Sequence, residues 1–172
     1  IEYRWFAEDS QCSIKIEELS AKHQNEVDAL WDGMRSEFDD RIIGVRDYEY
    51  IKYRYIKHPK FTYNIYAAYN QNEFIGVVIG RKEGTLFRLM DIIALEEHYS
   101  DMISVSKTVA NKLQTTEIIF WITSSQHNYF KSFGGKHNDA DVSIATWPYL
   151  DSCELKDIKD KWWLTAGDSD FL

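Results

Sequence analysis

Hydrophobic positions change period several times along the chain, and each change predicts an element. Residues 1–11 are mixed in character and read as a lead-in or linker, which leaves 12–172 as a single domain. Cys12, Ile14 and Ile16 alternate with polar residues, as a half-buried strand requires. From about Ser20 the spacing becomes three and four. Leu19, His23, Val27, Leu30, Trp31, Met34 and Phe38 then share one helical face, and Asp39, Asp40 and Gly44 mark its exit. The stretch from Asp47 to Lys57, with Tyr50, Ile51, Tyr53, Arg54 and Tyr55, predicts a second, shorter helix limited by Pro59.

Three strands follow. Phe61, Tyr63, Ile65, Ala67 and Tyr69 alternate, Asn70-Gln71-Asn72-Glu73 supplies a polar turn, and Ile75, Val77 and Ile79 alternate again as the second half of a hairpin. Leu86 to Leu95 completes a meander. Tyr99, Met102, Val105, Ser106, Val109 and Leu113 form the next helical stripe, and Glu117 to Thr123 is a short, almost continuously apolar strand with the signature of an interior position. A short helix fits between Ser125 and Phe133, ended by Gly134-Gly135. Val142, Ile144, Thr146 and Trp147 predict a further strand, and Trp162 to Thr165 the last one. The order is β-α-α-β-β-β-α-β-α-β-β, with no repeat and no low-complexity segment.

Composition supports a real core: 172 residues, 44% apolar and 15% aromatic, with only 2 Pro and 8 Gly. Six Trp and eleven Tyr fit either core packing or a lined pocket. The formal net charge of -8 opposes nucleic-acid and anionic-membrane partners. Cys12 and Cys153 make at most one bridge and read as free thiols, which points to a reducing, cytoplasmic setting. No apolar run approaches the roughly 18 residues of a spanning helix, and the start lacks a signal-peptide pattern. Beginning at Ile1 rather than Met fits a piece of a longer chain; further domains or a homodimer are left open as partners.

Among charged residues, Asp91 stands out because it is flanked by Met90 and Ile92 inside a predicted strand. A buried carboxylate needs a partner, and Arg88 is the near one. Arg46, Lys52, Arg54, Lys57, His58 and Lys60 form a basic stretch, either a clamp for an anionic group or a solvated helix face balanced by Asp47 and Glu49. The five histidines are scattered, His23 on an apolar helix face, and no ligand set at zinc or calcium spacing is present, so no metal is expected. Gly167-Asp168-Ser169 sits too close to the end of the sequence for an esterase nucleophile. It reads as the close of the last strand, with Asp168 accepting backbone hydrogen bonds.

The element order resembles that of the GCN5-related N-acetyltransferases (GNAT). Four segments carry the resemblance: the meander from Phe61 to Leu95, N128-Y129-F130-K131-S132-F133-G134, Y50-I51-K52-Y53-R54-Y55-I56-K57-H58-P59 and G167-D168-S169-D170. The resemblance implies an α/β (α+β type) fold with a mixed, mostly antiparallel sheet and helices on both faces. In that fold the fourth and fifth strands splay to admit a pantetheine arm. It also implies acetyl-CoA or another acyl-CoA as co-substrate, with a primary amine of a small molecule as acceptor.

By the same resemblance Tyr129 is the general acid, the other reading being that Tyr129 and Phe130 are the apolar face of the short helix; Asp91, a carboxylate within an apolar strand, is the base candidate. Ile93, Leu95, His98, Ser100, Asp101 and Ser104 border the cofactor, and Arg46, Tyr50, Arg54 and His58 the acceptor. One departure stands out. Where the family has a glycine-rich loop whose N–H groups hold pyrophosphate, Ile93 to Met102 has neither glycine nor arginine and places Glu96, Glu97 and Asp101 there. The alternative expectation is therefore a degenerate, non-catalytic domain that binds a ligand or a protein. A carboxylate of Glu97 or Asp101 capping the loop would favour it.

Overall fold

The computed structural model describes residues 1–8, 13–142, 158 and 160–169. In chain order these form β1 (Glu2–Phe6), β2 (Lys15–Glu18), α1 (Gln24–Glu37), β3 (Ile42–Ile43), α2 (Tyr48–Ile51), β4 (Asn64–Asn70), β5 (Glu73–Glu83) and β6 (Leu86–Ile93). They continue with α3 (Tyr99–Lys112), β7 (Glu117–Trp121), α4 (His127–Lys131), β8 (Lys136–Asn138) and β9 (Trp162–Trp163). One sheet carries seven strands in the order β2-β4-β5-β6-β7-β1-β8, and β3 pairs with β9 in a separate parallel ribbon.

The meander β4-β5-β6 is antiparallel and β6 lies parallel to β7, which is interior to the sheet as its apolar run predicts. Consecutive residues Ile75 to Ile79 and Leu89 to Ile93 are buried, so both faces of the central strands are covered. α1 lies over β5 and β6 through Val27, Leu30, Trp31 and Met34; α3 lies over β5, β6 and β7 through Met102, Ile103, Val105 and Val109. The β4–β5 turn places Gln71 and Asn72 at φ of 56° and 138°, backbone conformations that residues with side chains rarely adopt. Among the described residues no helix is long and apolar enough to cross a membrane.

Three expectations change. Residues 2–6, read as part of a lead-in, form β1 inside the sheet, antiparallel to both β7 and β8. Tyr3 and Trp5 are buried two apart, a period-two signal too short to stand out beside the exposed Phe6. The second helix is α for one turn only, opened by the Asp47 side chain accepting the Tyr50 N–H at 2.7 Å. It then widens to a π-helical turn over Lys52–Ile56. The wider turn directs both Arg54 and Tyr55 inward. Finally, the last predicted strand shortens to β9 plus one bridge between Thr165 and Ile122. The strand predicted at Val142 to Trp147 lies almost wholly outside the described residues, as do Cys12 and Cys153.

Candidate functional site

The site forms where β6 and β7 part. Their pairing runs from Leu86 opposite Glu117 to Leu89 opposite Phe120 and stops there. Beyond that point the segment Trp162–Ser169 enters the gap and acts as a strap. Its main chain is tied to the end of β7, with the Thr123 N–H donating to the Leu164 carbonyl at 3.1 Å. The Thr123 and Ser125 hydroxyls donate to the Trp162 carbonyl at 2.7 and 2.8 Å. On the β6 side Gly167 passes so close that a Cβ there would meet the Tyr55 hydroxyl and stand 3.1 Å from the Met90 carbonyl. Only glycine fits that approach.

Asp91 is buried, and its arginine is Arg46, at 2.6 Å, not Arg88, which pairs with Glu83 at 3.0 Å. Arg46 is 1% exposed and also holds Asp168 of the strap at 2.6 Å. Thr165 donates its hydroxyl toward Asp91 and Asp168, both at 3.3 Å, and Asp168 accepts the Thr165 N–H at 2.8 Å, the backbone role expected of it. Arg54 donates to the carbonyls of Gly167 and Ser169 at 3.1 and 2.6 Å. The Tyr-Arg-Tyr helix and the Gly-Asp-Ser tail, separate in sequence, therefore meet. Burial pushes the Asp91 carboxyl up to about 7, against the pull of Arg46 and with Asp168 adding to the rise. Burial opposes the charge on Arg46, but Asp91 and Asp168 outweigh it and hold the guanidinium above its ordinary value.

The other half of the strap is aromatic. Trp163 packs against Phe38, Tyr99, Phe130 and Tyr129 with ring centroids 4.7, 5.4, 5.9 and 6.3 Å apart, and Arg41 lies 5.0 Å over its ring. Tyr129 donates its hydroxyl to the Glu96 carbonyl at 2.5 Å, and burial, with Glu96 next, raises its pKa above that of an ordinary phenol. Its proton is thus spent on the backbone. Tyr129→Phe should cost about 1 kcal/mol in urea unfolding; an unchanged midpoint would mean that this bond contributes nothing to the fold.

At the loop before α3, the Glu96 N–H donates to a carboxylate, but that carboxylate is Glu37 of α1, at 2.8 Å, rather than Glu97 or Asp101. Arg41 binds the Glu96 side chain at 2.8 Å, while Glu97 is 75% exposed. Of the cofactor candidates, Ile93 is core, Leu95 and Asp101 are half-buried, and His98 lies 3.8 Å from Glu97. Ser100 accepts the Ser104 hydroxyl at its carbonyl, 3.1 Å away.

Of the acceptor candidates, Arg46, Tyr50 and Arg54 converge on the strap, with Tyr50 under the Arg46 guanidinium at 5.2 Å. Arg46 is neither solvated nor open to a ligand, whereas Lys52 pairs with Glu49 at 2.7 Å and Lys57 and Lys60 are exposed, as the solvated-face reading expects. His58 stands apart: its Nδ1 accepts the Phe61 N–H at 2.9 Å and its ring stacks on Phe61. Sequence reasoning missed Glu37, Arg41, Tyr55, Trp163 and Thr165. Tyr55, Trp163 and Thr165 lie in segments the pattern predicts as helix or strand, but nothing in the sequence marks them as site residues. Surface hollows of about 380 Å³ beside His23 and Tyr69, and about 460 Å³ beside Trp5 and Lys107, touch none of the candidate residues.

This architecture is the GNAT-like acyl-CoA N-acyltransferase fold, a mixed and mostly antiparallel sheet flanked by helices with one parallel pair that parts. Compared by sequence, the chain matches no protein-family model and no curated protein. Compared by structure, it is similar to an aminoglycoside acetyltransferase from an uncultured soil metagenomic sample in complex with sisomicin. The TM-score is 0.52 at 11% identity, over 78% of this chain and 95% of that one. PaiA N-acetyltransferase from Thermoplasma acidophilum in complex with coenzyme A gives 0.51 at 13% identity, over 76% and 94%. A functionally unknown conserved protein from Staphylococcus epidermidis ATCC 12228 gives 0.52 at 14% identity, over 77% of this chain; the chain spans 55% of that protein. Likeness at such identities establishes the fold.

Proposed function

We propose that this chain is a non-catalytic member of the acetyltransferase fold, a ligand-binding or protein-interaction module whose acyl-donor groove is closed by its own strap. The observation that carries the reading is the seating of Trp162–Ser169 between β6 and β7, where the resemblance puts the pantetheine arm. Glu37 on the Glu96 N–H supports it, because an incoming pyrophosphate must displace a tethered and already oriented anion. Asp91 supports it too: it is buried, and its oxygens accept from Arg46 and Thr165 rather than facing an open acceptor site.

The second reading is acyl-CoA-dependent transfer to a primary amine of a small molecule, with Tyr129 as general acid. The parting of β6 and β7 and the likeness to coenzyme-A-bound PaiA favour it. It requires the strap to leave and Tyr129 to release the Glu96 carbonyl. Thermal unfolding with millimolar coenzyme A and acetyl-CoA separates the two. The module should melt at the same temperature with and without either ligand. Ligand at 100 times its Kd adds about 2.7 kcal/mol, so a saturable rise of several degrees, with thiol release when primary amines are added, would establish the enzyme instead.

A further inference from the structure

Arg46, Asp91 and Asp168 present a problem of charge: one guanidinium serves two carboxylates where water is largely excluded, with exposures of 1%, 1% and 14%. If both carboxylates are ionised, a buried negative charge is left without a counterion, which is costly. One proton on the pair removes it. The cluster is also the seam between two parts of the molecule, since Asp91 belongs to β6 and Asp168 to the strap.

We infer that Arg46, Asp91 and Asp168 form a proton-operated catch on the strap, closed when the Asp91 carboxyl holds a proton and loosened when that proton is lost. Every group facing Asp91 fits the assignment. Arg46, from the loop before α2, stays charged throughout. Tyr50 of α2 is pushed up to about 12 by burial and Asp91, and Tyr55 of the π-helical turn and Tyr99 of α3 are held well above an ordinary phenol, chiefly by burial. Thr165 does not titrate, so among these groups Asp91 is the one that changes charge near neutrality.

The sign follows from linkage. The Asp91 carboxyl in the closed state is raised from the ordinary 3.8 to about 7. Closure therefore binds a proton, and its stabilisation is complete below about pH 4 and is lost as pH rises through about 7. The strap should be more firmly seated at pH 5.5 than at pH 8. This inference goes beyond the closed-groove reading and needs no ligand, so either can fail without the other.

Hydrogen exchange of the whole chain, read by mass spectrometry and corrected for intrinsic rates, tests it. Peptides covering 162–169 should lose protection by roughly tenfold between pH 5.5 and pH 8, while β4 and β5 stay unchanged. In Asp91→Asn the strap's protection should no longer depend on pH; Asp168→Asn, which relieves only part of the rise on Asp91, should shrink the dependence and provides the comparison if the first variant does not fold. Equal protection at both pH values in the unaltered chain overturns the catch, and so does a pH dependence that persists in folded Asp91→Asn or is undiminished in Asp168→Asn.

Discussion

Arg46→Ala is expected to destabilise the domain by about 3–5 kcal/mol, because it removes one partner from a buried ionic cluster and strands two carboxylates. At roughly 2–4 °C per kcal/mol for a chain of this size, the melting temperature should fall on the order of 10 °C. The loss is not a measure of what the pair contributes. Two charges taken out of water rarely gain much over well-packed apolar side chains, so Arg46→Met combined with Asp91→Leu should recover much of the loss. Asp168 lies nearer the surface and keeps the Thr165 N–H as partner in that double variant. Urea unfolding of the three proteins checks both parts. A cost below 1 kcal/mol for Arg46→Ala would mean that water reaches the cluster freely, and the charge argument built on its burial would collapse with it.

The fold was legible because its signals are local. The helical stripe Val27 to Met34, the alternation from Ile65 to Ile79 and the apolar run at 117–123 are each read from a short stretch, and each recurs in the structure as the predicted helix, hairpin or interior strand. β1 was not legible: five residues with two buried aromatics give no pattern distinguishable from a linker, and only the long-range partners on β7 and β8 make them a strand. The site shows the same division. Asp91 announced a partner by being charged inside an apolar strand, but the partner proved to be 45 residues away in sequence rather than the near Arg88. Sequence distance says nothing about which arginine reaches a buried carboxylate once helices intervene. Glu37 and Trp163 were silent for a similar reason. A glutamate at a helix end and a tryptophan in a short strand are ordinary residues until the chain brings them to the loop at Glu96 and to the gap beside β6.

Trp163→Ala should open that gap, and it tests the strap from its apolar side. The indole is 1% exposed and ringed by Phe38, Tyr99, Tyr129 and Phe130, so truncation removes a large apolar area and leaves a void that stiff aromatic walls collapse only in part. A loss of about 3–5 kcal/mol in urea unfolding is expected, and Trp163→Phe should cost clearly less because one ring still fills the cluster. The void is lined mostly by rings, and such cavities stay dry and take up apolar guests of matching shape. Indole at millimolar concentration should therefore raise the melting temperature of Trp163→Ala while leaving the unaltered chain where it was. A loss under 1.5 kcal/mol would show that the cluster repacks around the missing ring. A full loss without rescue by indole would show that the strap leaves the gap altogether once its anchor is gone, so that Arg46, Arg54 and the short β3–β9 pairing cannot hold it alone.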